Sequence, residues 1–189
     1  MTDLRKKLLA AAAAVALIQT LVLGWIVKDR IQLLRHGKEI VLPVEPVDPR
    51  SLFRGDYVIL SFPASRLAGS LPGDRADLKR GDALHVVLER NTAGAWLPTA
   101  AGRQPPAGPS TPGRLVLKAR AQWIGGPGKD VTVRYGLESY FVPEGAGKEL
   151  EKMVGKRQVQ VMVAVDAKGN SAIKGLIVDG KRIYDEPLI

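Results

Sequence analysis

The chain has 189 residues, 46% hydrophobic and 5% aromatic, with a formal net charge of +9, which is enough apolar material for one domain and a small appendage. It contains no cysteine and two histidines, so disulfides, thiolate metal sites and cysteine nucleophiles are excluded together, and imidazole chemistry is confined to His36 and His85. The basic residues are spread along the chain and not gathered with aromatics into a stripe, which argues against nucleic acid and for solubility or attraction to anionic headgroups.

Residues 8 to 27, LLAAAAAVALIQTLVLGWIV, run without a charge for the length that crosses a bilayer's hydrocarbon core at helical rise. Trp25 falls near one end, where an indole ring favours the membrane interface. Arg5, Lys6 and Lys7 precede the run as in a signal peptide, but the run is long and no small-residue cleavage pattern follows, so an uncleaved signal anchor is expected. Lys28, Arg30, Arg35 and Lys38 follow it, leaving the basic count across the span nearly balanced. A short tail before the span and a long domain after it favour an extracytoplasmic, in a bacterium periplasmic, domain on the inner membrane. The helix is expected to continue to His36, with Gly37 as its terminator. Residues 1–36 are thus read as tail, anchor and juxtamembrane helix, and 37–189 as one β-rich domain.

Lys38 to Val44 reads as a first strand. Pro46-Val47-Asp48-Pro49-Arg50 then forces an extended approach, because each proline fixes its own φ and biases its predecessor away from helix. Gly55-Asp56 supplies a turn, and Tyr57 to Leu60 form a short buried strand that Pro63 ends. Residues 64 to 82 read as a connection, closing on a second Arg80-Gly81-Asp82. Such an Arg-Gly-Asp before an apolar run, also at 54 to 56, is explained better by turns than by cell adhesion. Ala83 to Glu89 forms a strand on which His85 alternates with apolar neighbours and faces solvent.

Residues 98 to 113, rich in Pro, Gly, Ala, Ser and Thr, are expected to be a mobile loop. Arg114 to Gln122 and Val131 to Tyr135 alternate as half-buried strands. Leu137 to Gly145 is a compact polar and aromatic segment, and residues 148 to 154 give the one short helix of the domain. Gln158 to Val165, Ala172 to Val178 and Lys181 to Tyr184, joined at Lys168-Gly169-Asn170 and Asp179-Gly180, form an antiparallel three-strand meander. The fold class is therefore mainly β: a single transmembrane helix followed by an antiparallel β-sandwich or partly open barrel with one short helix.

No complete catalytic motif is present. Gly-x-Ser-x-Gly is absent, and Ser171 and Lys174 are three apart on a strand, which sets them on opposite faces. Gly145-Ala146-Gly147-Lys148 lacks the first glycine of a phosphate loop. Glu138, Glu144, Glu149 and Glu151, with Asp56, offer paired carboxylates for an envelope hydrolase or, more ordinarily, a solvated acidic edge. No metal or cofactor site is expected.

The stretch Pro46 to Phe62, with Arg54-Gly55-Asp56-Tyr57-Val58-Ile59-Leu60-Ser61-Phe62 at its centre, resembles the signature of the GDYXXLXY family of bacterial membrane-anchored proteins. Arg134-Tyr135-Gly136-Leu137-Glu138-Ser139-Tyr140-Phe141-Val142-Pro143-Glu144-Gly145 is similar to that family's second block. Phe62 stands where the family name has tyrosine. The resemblance implies a small exported domain on one N-terminal helix, and it singles out Asp56, Tyr57, Glu138, Tyr140 and Glu144 as candidate binding residues. A second likeness, to type I signal peptidases, fails at Ser51, which lies too close to Gly55 and lacks the following Met-x-Pro and a lysine base. The reading that results is a non-catalytic accessory or binding module, anchored in the lipid bilayer through residues 8–27 and partnering an integral membrane protein.

Overall fold

A computed structural model describes residues 2–45, 57–75, 77–106, 111–126, 128–141 and 159–185. Thr2–His36 form one continuous helix, α1, of 35 residues. Its side chains from residue 3 to 30 are exposed, and it is long and apolar enough to cross a membrane. Only its last turns touch the domain. Leu33 and Leu34 are buried against Ala164 and Ala172.

Gly37 ends the helix as expected: its N–H donates to the Leu33 carbonyl at 2.9 Å. The reason for glycine is space. A Cβ there would lie 2.5 Å from the Leu33 oxygen, 3.0 Å from the Val165 nitrogen and 3.1 Å from the Ala164 Cβ. The chain turns directly from helix into β1 (Lys38–Pro43).

The domain that follows is all strand apart from one 3-10 turn among the described residues. In order come β2 (Tyr57–Ile59), the turn Pro63–Ser65, β3 (Arg66–Leu67), β4 (Ala83–Arg90), β5 (Trp96–Gly102), β6 (Arg114–Ile124), β7 (Val131–Arg134), β8 (Ser139–Phe141), β9 (Val159–Val165), β10 (Ser171–Val178) and β11 (Lys181–Asp185). They build a four-stranded sheet in the order β1-β9-β10-β11, a five-stranded sheet in the order β3-β7-β6-β4-β5, and a two-stranded β2-β8 ribbon. Every pairing is antiparallel.

The alternation that marked the strands in sequence is the alternation of burial. Ile40 and Leu42 of β1, Val161 and Val163 of β9, Leu84, Val86 and Leu88 of β4, and Leu115, Leu117 and Ala119 of β6 point into one core that both larger sheets share. The sheets also meet at an edge. The turn after β9 sets the Gly169 carbonyl 2.8 Å from the Lys118 amide nitrogen of β6, and Lys118 Nζ reaches Asn170 Oδ1 at 2.9 Å. Asp166 shapes that turn by accepting from the Lys168 and Asn170 amides, both at 2.8 Å.

The meander β9-β10-β11 is as the pattern predicts, including the Asp179-Gly180 turn, where both residues have positive φ (49° and 76°). The expectation of a loop over 98–113 is corrected over its first part. Residues 98 to 102 belong to β5, an edge strand on which Pro98 sits opposite Leu88, beside a register shift. An edge position lets a proline lacking an N–H remain in a sheet.

The connection 64–82 likewise contains β3, whose pairing of Arg66 with Thr132 and Leu67 with Val131 no local pattern announces. His85 is half-buried and not turned to solvent: Nδ1 lies 3.1 Å from the Arg103 carbonyl. The second Arg-Gly-Asp is a turn, with Gly81 at φ +94° and Asp82 accepting from the Lys79 amide at 3.0 Å. The short helix over 148–154, Gly145 to Lys148 and the first Arg-Gly-Asp lie outside the described residues.

Candidate functional site

Two segments far apart in sequence are brought together by β2 and β8. Tyr57 pairs with Phe141, Val58 with Tyr140 and Ile59 with Ser139. The contact continues past the strands, since the Leu60 amide donates to the Glu138 carbonyl at 2.9 Å. The strand then turns inward. Leu60 and Phe62 are each 1% exposed and belong to the core, so the phenyl ring at 62 sits where a hydroxyl would need a buried partner.

The second segment reverses direction between β7 and β8, and Glu138 organises that reversal. Its carboxylate accepts from the Tyr135 amide at 2.6 Å and the Gly136 amide at 3.0 Å. The Arg134 guanidinium lies 3.6 Å from the same carboxylate. Gly136 supplies the positive φ, +81°, that the turn requires. Tyr135 is buried, and its hydroxyl donates to the Ala64 carbonyl at 2.5 Å, tying this turn to the segment after β2. Burial, and secondarily the Glu138 charge, pushes the Tyr135 phenol far above its usual range.

Between these two segments lies a cleft of about 380 Å³, whose lining includes Ile59, Ser61, Ser65, Thr132, Arg134 and Glu138. Ser65 is 7% exposed, and its Oγ has no hydrogen-bond partner. A buried hydroxyl left unpaired costs on the order of 1–3 kcal/mol, and a polar group that reached the Ser65 Oγ, closed to solvent in this structure, would relieve that cost.

Of the residues singled out from sequence, Glu138 lines the cleft, and the backbones of Tyr57 and Tyr140 stand on the ribbon beside it. Asp56 and Glu144 lie outside the described residues. Glu138 is already held by two amides and a guanidinium, which suits a structural carboxylate better than a catalytic one. Ser61, Ser65 and Thr132 were not singled out. No motif marks a serine in Pro63-Ala64-Ser65, and only the folding of 62–65 beneath β7 gives it meaning.

The other sequence candidates stay apart. The Lys174 ammonium is bound to Glu39, and the buried Ser171 Oγ has no partner, so the two are not a nucleophile and base. A bulge between Ile173 and Gly175 interrupts the simple alternation that separated them in sequence. Among the described residues, no three His, Asp or Glu side chains gather as metal ligands.

Comparison with curated proteins and with solved structures finds no match. The GDYXXLXY protein family model matches residues 19–176, from within α1 through β10, and so spans both meeting segments. With that match over most of its length, the chain belongs to the GDYXXLXY protein family.

Proposed function

We propose that this protein is a non-catalytic, single-pass membrane module whose β domain, on the outer face of a bacterial inner membrane, binds an integral membrane protein through the cleft between β2, β7 and β8. The observation that carries the reading is the unpaired Ser65 hydroxyl, buried in a cleft where the two separated family segments meet. Hydroxyls and one guanidinium line it, groups that bind main-chain amides or polar side chains of a partner. The exposed apolar length of α1 supplies the anchor, and it keeps the domain within reach of other membrane proteins.

The test is photo-crosslinking of the intact protein in native membranes from positions 59 and 139, with position 97 as comparison. Ile59 and Ser139 line the cleft, whereas Leu97 is exposed on β5, at the opposite edge of the five-stranded sheet from β3 and β7. A discrete adduct with one membrane protein from 59 and 139, absent from 97 and weakened several-fold by Ser65→Ala, is the expected result. Ser65→Ala removes only a buried, unpaired hydroxyl, so the variant should fold at least as stably as the parent, with a gain of up to about 1–3 kcal/mol. Adducts equal from all three positions, or none, would overturn the proposal.

A further inference from the structure

We infer that a second cleft, where α1 meets the domain, holds the phosphate headgroup of a membrane phospholipid. It has a volume of about 720 Å³, within the size range of small-molecule sites. One wall is a single face of α1, formed by Asp29, Gln32, Leu33 and His36, whose spacing of three and four residues lines them up. The opposite wall comes from Leu115 and Val116 of β6 and from the turn after Val165.

Position argues for lipid. The uncharged run ends at Val27, and at helical rise residues 28 to 36 climb about 13 Å beyond it. Headgroups occupy roughly 5–8 Å on each side of the hydrocarbon core, so the lower part of this wall stands at their depth. The lower mouth of the hollow, at Asp29 and Gln32, therefore opens beside the anchor at headgroup depth.

Chemistry argues for an amphiphile with an anionic head. Leu33, Leu115, Val116 and Val165 give apolar walls, while Lys38 and Lys168 supply cations and His36 a further donor. Two carboxylates also border the cleft. Asp166 is engaged by the Lys168 and Asn170 amides of its own turn, and Asp29 sits at the end nearest the membrane. The Lys38 ammonium lies 5.5 Å from the Trp96 ring centroid, a cation–π contact that a bound phosphate would share. The phosphate is therefore drawn up from the headgroup layer toward the Lys38 and Lys168 end, with glycerol carbons along the apolar walls.

The inference rests on the membrane anchoring proposed above but not on the partner cleft. Full-length protein in mild detergent, supplied with equal phosphatidylglycerol and phosphatidylcholine, is examined by native mass spectrometry. The parent is expected to retain one phosphatidylglycerol in preference to phosphatidylcholine. The double variant Lys38→Gln, Lys168→Gln should lose that retention at least tenfold, and Ala167→Trp, which fills the cleft from an exposed turn, should lose it with every charge in place. Equal retention of both lipids, or unchanged retention in either variant, overturns the assignment. Displacement of the lipid by millimolar inorganic phosphate alone overturns lipid as the ligand. Loss of anchoring reads out separately, as protein that stays soluble when detergent is removed.

Discussion

Tyr135 and Glu138 carry the residue-scale chemistry of the meeting point. The Tyr135 phenol is neutral in the folded protein to far higher pH than in the unfolded chain, because burial and the nearby Glu138 carboxylate both disfavour the phenolate. The folded state therefore holds its proton where the unfolded state releases it, near pH 10, and stability is complete below that pH and falls as pH rises through and above it. Tyr135→Phe is expected to cost about 1 kcal/mol at neutral pH through loss of the bond to the Ala64 carbonyl, and to flatten the fall between pH 9.5 and 11. Denaturant unfolding of parent and variant across that range checks both effects. A fall that remained equally steep in the variant would assign it to other groups.

At the scale of elements, the joint between α1 and β1 is a passage that a single methyl would obstruct. Gly37→Ala places its Cβ against backbone atoms of Leu33 and Val165 and against Ala164, none of which is a flexible side-chain end. A loss of about 1–3 kcal/mol is expected, seen as a lower thermal midpoint in detergent and faster proteolysis at the helix–domain joint. Gly24→Ala, in the exposed part of the same helix with nothing within 4 Å of the added carbon, serves as the neutral comparison. The turn after β9 acts similarly across elements: Gly169 adopts φ +82° and comes close enough to Val116 and Lys118 for its carbonyl to close the edge of β6.

For the whole molecule, the contrast between an exposed apolar rod and a domain with a buried core sets the expected behaviour. Nearly all of the rod's side chains are solvent-exposed, and burying an apolar surface of that size in lipid is favoured by far more than any surface charge opposes. The full chain should remain in the membrane pellet through alkaline carbonate extraction and be released by detergent alone. Release by carbonate would show that α1 is not a spanning anchor. The domain's charge of either sign plays little part in that result.

The amino-acid sequence determined whatever depends on near neighbours: the uncharged run of α1, the alternation of β4, β6 and β9, and the turns at Lys168-Gly169-Asn170 and Asp179-Gly180. Those signals are local because helix rise, strand alternation and positive φ are properties of consecutive residues. The resemblance to the family was also legible, from two blocks of consecutive residues, and so was Glu138 as a marked carboxylate. What the tertiary structure alone decided lies at longer range. Pro98 enters a strand because β4 offers it an edge, Leu60 and Phe62 turn from motif letters into core, and Ser65 becomes a buried, unpaired hydroxyl only once β7 covers it. Each of these outcomes is set by a partner 10 or more residues away, and the free energy of such a contact leaves no pattern in the residues beside it.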